Sequence, residues 1–247
     1  MNLKILGTGT SQVSKDRVSA SNYIRIGNKQ ILVDCGSGTL VRLSQAKIPI
    51  QDIDIIFISH FHIDHFAELY VILWALKYPH LDKTKELQII GPKGFKKLYT
   101  TYIEPLVFTK NPPKFEINIK EINQDELVFD NFSVFTLSTV HTEESLAFKF
   151  IEKNKTLVIA GDMYYNEDII NFSKNADVLV LECSFDNNRK SSSHLIPKEC
   201  GLIATKAKVK KLVLTHLYPI SEEVRLKQTK EFFQNTILAY DLIDIDI

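Results

Sequence analysis

The sequence predicts a layered domain of mixed helix and strand, α/β or α+β in class. Three observations carry this expectation: short apolar runs recur along the chain, turn residues separate them, and helical patterns lie among them. With 247 residues, 45% of them hydrophobic, the chain can bury a substantial core as one domain spanning residues 1–247. No low-complexity linker and no short repeat divides it.

The first forty residues read as strands and turns: Leu3 to Leu6, Tyr23 to Ile26 and Ile31 to Val33. Gly27-Asn28 supplies turn chemistry between the last two. Ile53 to Ile58 is apolar except for Asp54 and reads as a buried strand. A helix is expected from about Ala67 to Tyr78, ending before Pro79. Further apolar runs occupy Leu87 to Ile90, Phe132 to Leu137, Leu157 to Ala160, Val178 to Leu181 and Leu212 to Leu214. Lys198 to Ala207 and Glu222 to Gln234 are the clearest later helices. The ending, Ile237 to Ile247, alternates polar and apolar residues and suits the closing of a sheet edge.

Lys plus Arg and Asp plus Glu number 30 each. No net charge advertises a polyanionic partner, although a local basic face can exist on a neutral protein. Cys35, Cys183 and Cys200 are odd in number and contain no CxxC. That argues against a disulfide framework and for a reducing, cytoplasmic setting. No run reaches the length of a membrane span, and the start is too short for the apolar region of a signal peptide. The expectation is a soluble intracellular protein.

The densest chemistry lies in His60-Phe61-His62-Ile63-Asp64-His65. Three imidazoles and a carboxylate would fill a core poorly but hold transition-metal ions well. His60 and His62 are two apart, so in an extended segment both point the same way. Asp64 and His65 would begin the next helix, where a carboxylate is electrostatically welcome. Other apolar runs also end in donors. Phe132–Leu137 leads to His141, Leu157–Ala160 to Asp162, and Leu212–Leu214 to His216. If these strands share a sheet, their ends converge on one rim. Seven donors exceed the needs of one tetrahedral zinc. The expected allocation is two divalent ions, one on His60, His62 and His141 and the other on Asp64, His65 and His216, bridged by Asp162. Zinc is the first expectation, with manganese or iron as alternatives.

HxHxDH followed by isolated His141, Gly161-Asp162 and Thr215-His216 resembles the metallo-β-lactamase superfamily of hydrolases over nearly the whole chain. The resemblance implies an αββα sandwich of two mixed β-sheets flanked by helices, with a binuclear site at one sheet edge. Val33-Asp34-Cys35-Gly36 matches its acidic turn and implies a structural Asp34. The ribonuclease Z branch is closer still. Ile5-Leu6-Gly7-Thr8-Gly9, Asp34-Cys35-Gly36-Ser37-Gly38-Thr39, Gly91-Pro92-Lys93-Gly94, Ala176-Asp177-Val178-Leu179-Val180-Leu181-Glu182 and Leu212-Val213-Leu214-Thr215-His216 resemble it in order. By that resemblance His194 assists proton transfer or steadies the scissile phosphate without ligating metal. The branch also implies a homodimer.

Departures from the branch bear on substrate. Its longer tRNA-processing members insert an arm between the third His and the bridging Asp. Here that interval is 21 residues (162 − 141), nearly filled by Thr142–Phe150, a turn at Glu152-Lys153-Asn154-Lys155 and the next strand. The branch's proline-containing loop reads Ser11-Gln12-Val13-Ser14, and Leu195-Ile196-Pro197 follow His194 in place of small hydroxylated residues. The expected function is therefore a compact phosphodiesterase acting on cyclic nucleotides or other small phosphodiesters, with tRNA 3′-processing as the alternative. Zinc lowers the pKa of bound water from about 15.7 to about 7, a difference of about 12 kcal/mol. A positioned base supplies about 3–5 kcal/mol. The metals are expected to dominate, with Asp64 orienting the attacking water and His194 aiding the leaving group.

His80 is read as a surface or satisfied core residue. Gly7-Thr8-Gly9 lacks the third glycine of a dinucleotide loop, since Gln12 stands there and a strand pattern follows. The run Lys206, Lys208, Lys210 and Lys211 reads as a solvated helix end, and Glu182 as a structural hydrogen-bonding group. Rival classes are a diiron oxidoreductase, whose family carries an acidic residue where His62 stands, and a nucleic-acid binder with a vestigial site. Thioester or lactam hydrolysis is also open, because ligands alone do not choose the substrate.

Overall fold

The computed structural model describes residues 1–12, 14–78, 81–108, 112–189, 191–219 and 222–247. His80, and Val13 of the early loop, lie outside these residues. Two seven-stranded sheets face each other. The first comprises β1 (Asn2–Gly7), β2 (Ser21–Ile26), β3 (Lys29–Cys35), β4 (Ile55–Phe57), β5 (Leu87–Pro92), β6 (Ile117–Ile122) and β14 (Ile243–Asp246), in the order β14-β1-β2-β3-β4-β5-β6. The second comprises β7 (Glu126–Val128), β8 (Ser133–Ser138), β9 (Leu146–Glu152), β10 (Lys155–Ala160), β11 (Val178–Glu182), β12 (Lys211–Thr215) and β13 (Thr236–Leu238), in the order β13-β12-β11-β10-β9-β8-β7. Each sheet is antiparallel where it starts and parallel from β3 to β6 or from β10 to β13.

Alternation within each strand explains the layers. Leu3, Ile5, Ile31, Val33, Ile55 and Phe57 meet Leu157, Ile159, Val178, Val180 and Val213 between the sheets. The intervening Leu6, Leu32 and Ile56 turn outward, as do Val158, Leu179, Leu181, Leu212 and Leu214. Strands buried on both faces read as unbroken apolar runs, which is why these were visible in the sequence. Phe57 of the first sheet packs against Phe148 and Phe150 of the second, with ring centroids 5.2 and 5.7 Å apart. Truncating such a ring to alanine costs about 3–5 kcal/mol.

Helices cover both outer faces. α1 (Thr39–Gln45), α2 (Ile63–Phe66), α3 (Leu69–Leu76), α4 (Phe95–Leu98) and α5 (Glu104–Val107) lie over the first sheet. α6 (Asp168–Phe172) and α7 (Pro197–Ala207) lie over the second, and α8 (Glu222–Lys230) packs on α7. The result is the αββα sandwich.

Some boundaries differ from expectation. Of the helix expected over Ala67–Tyr78 only Leu69–Leu76 forms α3, set apart from α2 before it, because the Glu68 N–H turns to the Cys35 carbonyl at 2.9 Å. The Glu68 carboxylate then accepts the Gly38 and Leu40 N–H groups at the start of α1. The Ile53–Ile58 run contributes only three residues to β4, since Ile50–Asp52 is a 3₁₀ turn and Asp54 N–H bonds the Gln30 carbonyl. The Ile237–Ile247 segment supplies an edge strand to each sheet, β13 to one and β14 to the other. The helix expected over Glu222–Gln234 ends at Lys230.

Candidate metal centre

The parallel strands β4, β10, β11 and β12 run the same way, so their C-terminal ends share one rim with the end of β8. His60, Asp162 and His216 each lie one to three residues past such an end, as does His141 past β8. The motif is pressed close to the first sheet by Gly36. A Cβ there would sit 2.0 Å from the Asp64 carbonyl oxygen, so only glycine permits the approach.

All seven expected donors come together. Ligand atoms of His60, His62, His141 and Asp162 lie within 4.8 Å of one another, as do those of Asp64, His65 and His216. Asp162 lies between the groups. Its Oδ1 is 3.4 Å from His65 Nε2, and its Oδ2 is 3.4 Å from His216 Nε2 and 3.8 Å from His141 Nε2. A third group, Asp162, His194 and His216, is equally tight, but His194 Nδ1 is held by Glu182 at 2.9 Å.

Hydrogen bonds at the back of the rings set the tautomers. His65 Nδ1–H donates to Asp34 Oδ2 at 2.7 Å, and His141 Nδ1–H to the Ser193 carbonyl at 2.8 Å. The Ser59 hydroxyl donates to Asp34 at 2.8 Å, leaving its oxygen to accept from His60 Nδ1 at 3.0 Å. Likewise Ser184 donates to Glu182 at 2.7 Å and accepts from His216 Nδ1 at 3.1 Å. Four histidines therefore turn Nε2 inward, where a divalent cation would displace any proton that it carries. His62 offers Nδ1, 3.0 Å from His141 Nε2. The buried Nε2 atoms of His60 and His65 have no hydrogen-bond partner. Orphaned, inward lone pairs backed by carboxylates and carbonyls are what a divalent metal requires. The donor set fits one.

Charge distribution agrees. Burial, reinforced by His65, lowers the His60 imidazole to about 2, which keeps it neutral and able to ligate. Burial and His141 also lower His62. For His65, burial opposes the charge, but Asp162 and Asp34 raise it well above the usual imidazole range. Burial works against ionisation of Asp162, yet His216 and His65 hold it well below the carboxylate range. Asp64 is also lowered against burial, by its His216 hydrogen bond (3.3 Å) and by His65. Positive charge is thus favoured among these carboxylates, where a cation would sit.

Glu182 is buried and saturated. It accepts the Met163 N–H (3.0 Å), His194 Nδ1–H and the Ser184 hydroxyl, which matches the structural role expected of it. Against the cost of burial, its hydrogen bond raises the His194 pKa. Asp34 is structural in the same sense. The lysine run is solvated at the end of α7: Lys206 faces Glu167, Lys210 pairs with Asp177 at 2.7 Å, and Lys208 terminates the helix in a left-handed conformation. Three positioning residues escaped the sequence reading. Ser59 and Ser184 carry no spacing signal, and Arg225 looks like any charge on a polar helix. Burial, with Asp64, Asp162 and Glu182 nearby, pushes the Tyr218 phenol up.

Fold and donor set together define a metallo-β-lactamase-fold protein. The chain belongs to the family described as anti-Pycsar protein Apyc1, whose model matches residues 1–237. It is similar to ribonuclease Z of Archaeoglobus fulgidus, 24% identical over 303 residues and 99% of this chain and 97% of that one. It is also similar to the probable metallo-hydrolase YhfI of Bacillus subtilis, 27% identical over 248 residues and 96% of each chain. The crystal structure of YhfI, described as a metallo-β-lactamase fold protein, superposes with a TM-score of 0.87 at 24% identity, covering 99% of this chain and 98% of that one. Human tRNase Z, short form, superposes with a TM-score of 0.84 at 24% identity, covering 100% and 99%.

Proposed function

We propose that the protein is a two-metal phosphodiester hydrolase acting on small nucleotide phosphodiesters, cyclic nucleotides first among them. His60, His62 and His141 would hold one divalent ion and Asp64, His65 and His216 the other, with Asp162 placed between the two groups. Zinc suits this imidazole and carboxylate set. The observation that carries the reading is Asp162, with one carboxylate oxygen toward His65 and the other toward His141 and His216. Bound divalent ions supply Lewis-acid charge for the phosphoryl oxygens and acidify water.

The chain's own residues account for the rest. Asp64, held ionised, accepts a hydrogen bond from the attacking water and aims its lone pair, and the water's proton passes to solvent. His194 keeps its Nδ1 proton on Glu182 and presents Nε2–H to the leaving oxygen, and the Glu182 hydrogen bond raises its pKa, which favours the protonated ring. Compactness supports a small substrate. The interval from His141 to Asp162 is the β9–β10 hairpin. The ribonuclease Z alignment runs over 303 residues although this chain has 247, whereas the YhfI alignment runs over 248. That length difference marks segments of ribonuclease Z with no counterpart here.

The ribonuclease Z relatives favour a second reading, tRNA 3′-processing. A hydrolysis panel at defined zinc loading separates the two, using a cyclic nucleotide, bis-p-nitrophenyl phosphate and precursor tRNA with a 3′ trailer. The proposal expects the small diesters to be cleaved and the tRNA spared; efficient trailer removal with inert cyclic nucleotides would reverse it. Among the described residues no helix is long and apolar enough to cross a membrane, and three buried free cysteines suit a reducing compartment such as the cytoplasm. Val71 and Trp74 on α3, with Tyr102 just before α5 and Leu106 within it, are exposed apolar residues on a face that we assign to a homodimer. A mass near 28.3 kDa in light scattering, unchanged by Trp74→Glu, would exclude the dimer.

A further inference from the structure

One side of the site's mouth carries an aromatic assembly that the donor set does not use. Phe185 and Tyr218 stack with centroids 5.4 Å apart and planes inclined by 11°. The Arg189 guanidinium lies 4.1 Å over the Phe185 ring. Phe185 meets His194 edge-on at 5.8 Å, and Tyr218 meets His216 edge-on at 6.5 Å. The assembly therefore begins one ring away from the leaving-group histidine and from one of the donors.

It is also built. Phe185 follows β11 and Tyr218 follows β12, so two separate loops must be held together to stack them. Arg225 on α8, with none of its surface exposed, does this. Its Nη1 donates to the Cys183 and Ser184 carbonyls at 3.2 and 2.8 Å, and its Nη2 to the Tyr218 carbonyl at 2.6 Å. Burying a guanidinium is costly unless its donors are matched. Here both Nη groups are spent on the two loops that carry the rings, and Nε alone has no partner among the described residues. Phe185 and Tyr218 are only half-buried, and Arg189 is exposed. Aromatic rings beside an arginine plane recognise the face of a nucleobase, and a nucleotide carries its base one sugar away from its phosphate.

We propose that Phe185, Tyr218 and Arg189 form a shelf that receives the nucleobase of the substrate while its phosphate lies among His60, His141, Asp162 and His216, with Arg225 as the positioning residue. The inference rests on the phosphodiesterase reading and adds to it the part of the substrate that is recognised.

The test uses the full chain loaded with zinc and two esters sharing one leaving group, thymidine 5′-(p-nitrophenyl phosphate) and methyl p-nitrophenyl phosphate. Tyr218→Ala and Phe185→Ala are expected to reduce the ratio of kcat/KM for the thymidine ester over the methyl ester by about tenfold. Tyr218→Phe, which keeps the ring, retains the ratio, and Arg189→Gln lowers it less. Calorimetric titration gives a readout independent of turnover. Uridine 5′-monophosphate is expected to bind the unsubstituted protein about tenfold more tightly than ribose 5-phosphate, with the gap closing in Tyr218→Ala. Equal binding of the two monophosphates by the unsubstituted protein overturns the shelf, as does a gap that survives Tyr218→Ala. Should neither ester be hydrolysed while the uridine advantage stands, the phosphodiesterase reading falls and the shelf does not.

Discussion

Asp34 with Ser59 at the edge of the first sheet, and Glu182 with Ser184 at the edge of the second, are built alike. In each pair the carboxylate accepts from the serine hydroxyl and from one imidazole, and the serine oxygen serves a second imidazole. Their clients differ. Asp34 and Ser59 orient His65 and His60, both sealed and both candidate ligands. Glu182 and Ser184 orient His216, also sealed, and His194, whose side chain is 14% exposed against 3% for His65. The same local chemistry thus sets a lone pair in one place and stores a proton in another, depending on whether the ring reaches open space. A neutral ligand and a general acid can be made from one construction.

The largest break in this comparison comes from the group between the halves. Asp162→Ala should abolish turnover beyond the ~10²–10⁴-fold loss of a general acid and reduce bound metal, read together by elemental analysis and a chromogenic diester. Retained metal with near-normal turnover would refute the bridging assignment. Next, His194→Gln should keep its metal but lose about 10²–10⁴-fold in kcat. The loss should be greater for an alkoxide leaving group than for p-nitrophenolate, which needs no proton. A uniform loss would mean that His194 positions the phosphate instead.

The two carboxylates can then be set against each other. Asp34→Asn should weaken metal binding about 10–100-fold, measured by competition with a chelating dye. Glu182→Gln should leave affinity less affected and move the pH–rate profile. Glu182 raises the His194 pKa, so its neutralisation lets His194 lose its proton at lower pH, and the alkaline limb shifts down. If the two variants behave alike, the distinction between ligand cage and proton store is wrong.

Much of this was legible in the sequence because ligand chemistry is carried by residue types that cores avoid. His60, His62, Asp64 and His65 stood out by density, and His141, Asp162 and His216 by following apolar runs. The strands were legible where both faces are buried. β6 and β7 were not, because their half-exposed patterns, as in Ile117–Ile122, resemble loops. Nor was the break between α2 and α3, which depends on Glu68 reaching back to Cys35 and to the start of α1. The serines and Arg225 were hidden for a related reason: their roles come from partners that only the fold brings close, 25 positions away for Ser59 and Asp34, 32 for Ser184 and His216 and 42 for Arg225 and Cys183, or from burial that composition does not report.

A smaller effect lies outside both halves. Glu222 pairs with Arg17 at 2.7 Å, and that hydrogen bond holds its carboxyl below the ordinary value of 4.5. A depressed carboxylate stabilises the fold above its unfolded pKa, and the benefit is lost as pH falls through the folded one. Glu222→Gln should lower Tm slightly at neutral pH, by no more than about 2–4 °C. The difference should vanish in acid, as scanning calorimetry can show.

The central claim is a two-ion centre serving phosphodiester hydrolysis. Stepwise zinc titration of the chelator-treated protein, with native mass spectrometry and cyclic-nucleotide hydrolysis read on the same samples, tests it most directly. The account predicts that activity rises with the species carrying two ions per chain and saturates with it. Full activity in the one-ion species, or hydrolysis that persists after chelation, would contradict it.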